Sequence, residues 1–358
     1  MEKKINYFSG LDTLRFLSAF SIIIYHYTLN MQDMCYPSVK MLLHSLSIGV
    51  ECFFVISGFL IVYLLLVEKE QNNKISLSNF YIRRALRIFP LHYLIIIIAY
   101  YVYHLSNPEI NFAKFAYFCG NFAMIETDKW TVGILNPLWS LAIEEHFYLV
   151  IPVLILYIPI KKVNYLFFGV ILLSLFFRCY AYFFAQWMTF YCHTLSRMDS
   201  LAIGGLIAYY YHRDDKIFNA ITSSFVYIAA IYLVLLMSIL DISDYTLLNF
   251  ALFKKYLFLL PIVIIFTGFV LNNNSNNSIF EGIKRNKIVN YLGKISFGLY
   301  MYHYPIYEFM LQYDVIKNHK TLFLISAISI TILVSTISYE LFEKQILKLK
   351  KRFEVVTH

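Results

Sequence analysis

Charge is what this sequence has least of. Asp, Glu, Lys and Arg make up 15% of its 358 residues, where a soluble globular chain carries about 25%. No charged stretch is long enough to fold separately, which argues against a pair of soluble domains and against a nucleic-acid-binding module. Cysteine offers no framework either: Cys35, Cys52, Cys119, Cys179 and Cys192 include no CxxC pair, and five is an odd number. Neither a zinc site nor a disulfide set is indicated, and the residues read as buried free thiols. A secretory signal is also missing. Lys3 and Lys4 precede an apolar run, but that run holds Asp12, Arg15 and His26 and lacks a small-residue cleavage site, so it reads as a retained first span. No internal repeat of the inverted kind found in many transporters is evident.

What the chain has in quantity is apolar length. Hydrophobic residues are 59% of the total, with 33 Phe and 31 Tyr, and runs of membrane-crossing length recur from Leu11 to Phe342. A hydrocarbon core of about 30 Å needs roughly 20 helical residues. Ten stretches qualify, near 11–29, 46–67, 86–104, 135–158, 163–184, 198–212, 223–240, 252–271, 291–312 and 321–343. The expectation is an all-α polytopic membrane bundle of about ten helices. The segment 112–125 is too short and too interrupted by polar residues to span, and is expected to be re-entrant or interfacial. Residues 1–343 then form one membrane-embedded domain and residues 344–358 a basic cytoplasmic tail near anionic headgroups.

The distribution of cations sets the orientation, because Lys and Arg accumulate on the cytoplasmic side. With the amino terminus inside, 19 of the 30 Lys and Arg fall on inner flanks and 7 on outer loops. Both termini are therefore expected in the cytoplasm.

An ionisable group at a helix centre in a bilayer costs at least about 2.5 to 3.5 kcal/mol on insertion scales, which makes each one a functional candidate. In the first span, Asp12 and Arg15 share a face and can pair. Arg15 and His26, eleven residues apart, return to nearly the same face with His26 roughly 16 Å further out. A structural ion pair and a satisfied core histidine explain these residues equally simply. The segment PLWSLAIEEHFYLVIP brings Trp139, Glu144 and Glu145 into one span. Adjacent carboxylates point about 100° apart, so at most one faces the bundle interior, where it would exchange protons or orient an imidazole; both could instead be hydrated near the outer interface. Arg84 and Arg87 sit about one turn apart on the inner surface, a spacing that suits a phosphate clamp and equally suits positive-inside flanking. Arg197, Asp199 and His303 complete the intramembrane set.

These segments together resemble the acyltransferase-3 family of integral membrane O-acyltransferases. The resemblance rests on GLDTLRFLSAFSIIIYHY (10–27), GVECFFVISGFLI (49–61), FYIRRALRIFPLHYL (80–94), LWSLAIEEHFYL (138–149), RMDSLAIGGLIA (197–208), YLGKISFGLYMYHYPI (291–306) and SYELFEK (338–344), seven segments in family order from end to end. His146 and Gln345 stand where the family often has Gln and Pro, and no hydrolase-like domain follows the last span, so the chain is expected to act alone or to hand the acyl group to a separate protein.

The resemblance implies an enzyme of a bacterial cytoplasmic membrane that takes an acyl group, usually acetyl, from cytoplasmic acyl-CoA to a hydroxyl of an extracytoplasmic glycan or glycolipid. It implies His26 as general base or transient acyl carrier with Glu144 orienting it, Arg15, Arg84 and Arg87 as donor-binding residues, and Asp12, Ser57, Trp139, Glu145, Arg197, Asp199, His303 and Glu343 in substrate contact or support. Acetyl-CoA is the expected donor substrate, with no metal, no nucleic acid, and membrane lipid and envelope-glycan assembly proteins as further partners. The rival reading is a transporter or flippase for a lipid-linked glycan, whose buried charges would line a path and which needs no acyl donor.

Overall fold

The computed structural model describes residues 8–29, 43, 46–214, 216, 228, 231–232, 278–312 and 319–355. Among these, every regular element is a helix. Ser9–Leu29 forms α1, and Gly49–Asn72 forms α2, which stops where Asn73 turns into the left-handed region at φ 56°. Leu77–Tyr103 forms α3 and continues through Pro90. Leu138–Tyr157 (α6) and Val163–Phe184 (α7) follow two short helices, Phe112–Ala116 (α4) and Gly120–Thr127 (α5). Trp187–Cys192 (α8) leads into Thr194–His212 (α9). After 278 come Ser278–Arg285 (α10), Lys287–Lys294 (α11), Ser296–Met310 (α12) and Lys320–Ser338 (α13). A π-helical turn at Tyr339–Glu343, helix Lys344–Leu349 (α14) and a 3₁₀ turn at Lys350–Phe353 end the described chain.

Among the described residues, five helical stretches are long and apolar enough to cross a membrane: Leu46–Asn72, Leu77–Tyr103, Gly133–Tyr157, Ile160–Phe184 and Thr321–Phe353. Their outward faces fit lipid, with Phe176 on α7 exposed to 70% and Leu333 on α13 to 58%. The expected stretches 223–240 and 252–271 lie outside the described residues apart from positions 228, 231 and 232. The remaining three expected spans are present as helices of a different character. α1 contains Asp12, Arg15 and His26, and α9 contains Arg197 and Asp199. The stretch 291–312 is divided at Ile295, leaving α12 with 15 residues, about 22 Å of helix at about 1.5 Å per residue. The segment expected to be re-entrant holds α4 and α5, of 5 and 8 residues, neither long enough to cross.

Close helix packing positions the interior. α2 and α9 approach so nearly that a Cβ added to Gly58 would lie 2.0 Å from the Leu201 carbonyl oxygen, and one added to Gly204 would lie 2.2 Å from that of Val55. Small residues are what let membrane helices approach like this. α1 packs against α2, α11 and α12, and α12 against α13. A smaller apolar cluster around Tyr27, Tyr307 and Phe323 locks α1, α12 and α13 together, and the Tyr27 hydroxyl bonds to Thr331 at 3.0 Å. The C-terminal half of α1 is thereby fixed against α12, which decides where His26 points.

Candidate active site

Two polar centres flank Tyr300 of α12. The first is a partly open cavity of about 100 Å³ between α1, α2, α3, α6 and α12. Its cations are Arg15, Arg84 and Arg87, and its polar wall includes Ser57, Ser140, Glu144, Tyr148 and Tyr300. Arg15, Arg84 and Arg87 line one space because α1 and α3 present them to it. Arg15 is held by Asp12 at 3.1 Å. Arg84 is held differently: its guanidinium lies 5.7 Å from the rings of both Phe80 and Tyr148, and its buried Nε has no hydrogen-bond partner. A guanidinium packed on aromatic faces with a donor unspent is prepared for an anion.

Glu144 belongs to this cavity and not to His26. Its carboxylate accepts from the Ser57 hydroxyl at 2.8 Å and from Tyr148 at 3.0 Å. This corrects the expectation that Glu144 orients His26. The two lie on different helices, and the turn of α6 that carries Glu144 faces Ser57 of α2, whereas the C-terminal half of α1 faces α12. Glu145 points elsewhere, with its buried Oε1 unpartnered.

The second centre is a histidine pair. His303 Nδ1 lies 2.5 Å from the carbonyl oxygen of Tyr300; a carbonyl only accepts, so Nδ1 carries the hydrogen. In a neutral ring Nε2 is then a lone pair, and His26 Nδ1, 2.9 Å away, donates to it. His26 Nε2 remains as an acceptor with its direction fixed. The two rings stack with centroids 5.0 Å apart, and Tyr304 closes on His26 edge-on at 5.1 Å. The second-rank residue of the sequence reading, His303, is thus the one that orients His26. Between the two centres, the Tyr300 hydroxyl and Ser140 Oγ meet at 2.7 Å, and both reach the Pro137 carbonyl, at 3.3 and 3.1 Å.

The other nominated residues brace the bundle. Arg197 pairs with Glu51 of α2, which also accepts from Ser200, and its guanidinium lies 4.4 Å over Tyr191 and 5.4 Å from Trp139. Asp199 pairs with Arg178 of α7 at 2.5 Å, both being buried. Glu343 accepts from Ser338 at 3.1 Å. Glu51 and Arg178 were not nominated, although the rule that singles out ionisable groups inside apolar runs applies to both. The described cysteines, Cys52, Cys119, Cys179 and Cys192, are free, and only Cys192 is buried. Cys35 lies outside the described residues.

A helical membrane bundle with an arginine-lined cavity beside an oriented imidazole has the parts of a group-transfer enzyme. The family model described as an acyltransferase domain matches residues 8–340, and the chain belongs to that acyltransferase-3 family. It is similar to "Putative O-acetyltransferase SACOL0978" of Staphylococcus aureus (strain COL), 30% identical over 365 residues that cover 95% of this chain and 57% of that protein. It is also similar to O-acetyltransferase OatA of Staphylococcus aureus (strain NCTC 8325 / PS 47), 29% identical over 368 residues covering 96% of this chain and 57% of that one. The chain therefore spans somewhat more than half the length of these relatives. No solved structure gives a significant match.

Proposed function

We propose that this chain is a membrane O-acetyltransferase that moves an acetyl group from cytoplasmic acetyl-CoA to a hydroxyl of an extracytoplasmic glycan or glycolipid. The observation that carries the reading is the oriented His26 Nε2, held through His303 by the Tyr300 carbonyl and separated by Tyr300 from a cavity lined by three arginines. The residues 1–343 act as one catalytic unit in a bacterial cytoplasmic membrane, with both termini in the cytoplasm. Relatives named O-acetyltransferases support the reaction class.

In this reading Arg15, Arg84 and Arg87 hold the donor phosphates. The pantetheine arm then runs outward along α1, over the roughly 16 Å that separates Arg15 from His26 on one helix face. His26 Nε2 takes the proton of the acceptor hydroxyl as its oxygen attacks the thioester carbonyl. The new acyl–oxygen bond forms, the acyl–sulfur bond breaks, and the thiolate recovers the proton from the imidazolium to leave as coenzyme A thiol. His303 accepts the His26 Nδ1–H throughout and keeps the working tautomer.

The test is transfer of radiolabelled acetyl from acetyl-CoA supplied to the cytoplasmic face of inverted vesicles. Lumenal glycan is expected to become labelled by the unmodified protein and not by His26→Ala. Label that is independent of His26, or no label with folded protein and host glycan present, would remove the assignment and move weight to a transporter.

A further inference from the structure

The last described turn of the chain is basic and is not free. The 3₁₀ turn Lys350–Phe353 and α14 pack on α3, and Arg83 of α3 donates to the Phe353 carbonyl at 2.6 Å. That bond pins the turn over the inner end of α3, from which Arg84 and Arg87 enter the cavity. Lys350 is half-buried and lies within electrostatic reach of Arg83, Arg84 and Arg87, with the Glu354 carboxylate also within reach. Lys351 and Arg352 in the same turn point to solvent.

Like charges gathered in a partly dehydrated place repel one another, and the arrangement costs free energy unless anions answer it. Most nearby cations are answered: Arg15 by Asp12 and Arg83 by Glu68 at 3.5 Å. Arg84, Arg87 and Lys350 make no hydrogen bond to a carboxylate among the described residues, and Arg84 keeps its buried Nε unpartnered. Glu144, which lines the same cavity, accepts from Ser57 and Tyr148; it lies within electrostatic reach of Arg84 and Arg87, as Glu145 does of Arg84 and Glu343 of Arg87, without a hydrogen bond to either. Carboxylates therefore answer Arg84 and Arg87 at the cavity, and Lys350 beside them, only at a distance, and the donors of all three are left for a bound anion. The tail also lies beyond residue 340, where the family match ends, so no family motif gives Lys350 a role.

We propose that the basic turn is part of the donor site: the Lys350 ammonium, with the Arg84 and Arg87 guanidiniums, binds phosphate groups of the acyl donor at the cytoplasmic lip of the cavity. The turn is then a phosphate clamp and not a lipid anchor. This rests on the proposed acyl transfer and adds a residue to it. An ammonium supplies a compact point charge where the guanidiniums supply forks, a combination suited to a pyrophosphate or a terminal phosphate.

The experiment compares the full chain in nanodiscs with Lys350→Gln, Lys350→Arg and the double variant Lys351→Gln/Arg352→Gln. Coenzyme A affinity and the apparent KM for acetyl-CoA are measured, with acetyl-pantetheine as the phosphate-free donor. Lys350→Gln is expected to raise Kd and KM about three- to tenfold, the worth of one partly hydrated charge contact, with kcat nearly unchanged. Lys350→Arg should restore most of the affinity, the double variant should match the unmodified protein, and acetyl-pantetheine should not sense Lys350. Unchanged coenzyme A affinity in Lys350→Gln overturns the proposal while leaving acyl transfer standing. An effect shared by all basic variants and abolished when phosphatidylglycerol is replaced by phosphatidylcholine assigns the turn to lipid headgroups and overturns it too. Failure of the unmodified protein to bind coenzyme A removes the donor reading itself.

Discussion

At the scale of single residues the histidine pair makes the sharpest demands. His26 Nε2 serves as a base only while both imidazoles are neutral, since a proton on either ring destroys an accepting lone pair that the chain to the Tyr300 carbonyl requires. Turnover is therefore expected to fall once the medium is acid enough to protonate either ring; a rate that holds or rises with acidity until the protein unfolds, under conditions where chemistry limits, would contradict the assignment. His303→Ala should lower kcat by about a hundredfold or more with little change in donor KM, because it removes orientation and not donor contact. Equal losses in both parameters would point to a collapsed site. His26 was legible from its position in an apolar span eleven residues beyond Arg15. The identity of its partner was not, because His303 is 277 residues away in sequence and nothing local to either segment records that α1 and α12 touch.

Helices show the same limit more clearly. Arg197 and Asp199 stand two residues apart, which on a helix turns them about 200° from one another, so they address different neighbours: Glu51 of α2 and Arg178 of α7. That spacing does not favour a mutual pair, and it does not say which helices lie on either side. If the Arg178–Asp199 pair is a brace, Asp199→Leu alone should cost about 3 to 5 kcal/mol by leaving a buried cation. Arg178→Met with Asp199→Leu should recover most of that in a thermal-unfolding series in detergent. A double variant no better than the single one would show that the pair does more than hold α7 to α9. The α2–α9 contact gives a steric test. Gly58→Val places side-chain atoms where the Leu201 carbonyl already sits and should destabilise the bundle by about 1 to 3 kcal/mol. Lys69 offers a subtler device. Its ammonium lies 2.6, 3.0 and 2.7 Å from the carbonyls of Ile155, Leu156 and Ile158, capping the end of α6 from a neighbouring helix. Lys69→Met should release those carbonyls and speed amide exchange over the following turn.

For the molecule as a whole, apolar length was read reliably because the bilayer imposes it, and the stretches 46–67 and 163–184 coincide closely with α2 and α7. Helix ends were read less well. Arg84 and Arg87 face a cavity inside the bundle and not lipid, so α3 runs through them from Leu77 and does not begin near 86. If both termini lie inside, as proposed, Cys119 between α4 and α5 should react with a membrane-impermeant maleimide on intact cells when it is the only cysteine retained. A cysteine placed at Lys351 should react only after permeabilisation; the reverse pattern would invert the topology. The two polar centres meet at Tyr300, yet each ends on a backbone oxygen. The hydroxyl chain from Ser140 stops at the Pro137 carbonyl, and the imidazole chain stops at the Tyr300 carbonyl. A carbonyl receives a hydrogen but has none to pass on, so neither chain continues into the other. Tyr300 thus acts as an insulator between the two centres: among the described residues, a proton on one hydrogen-bonded chain has no relay into the other.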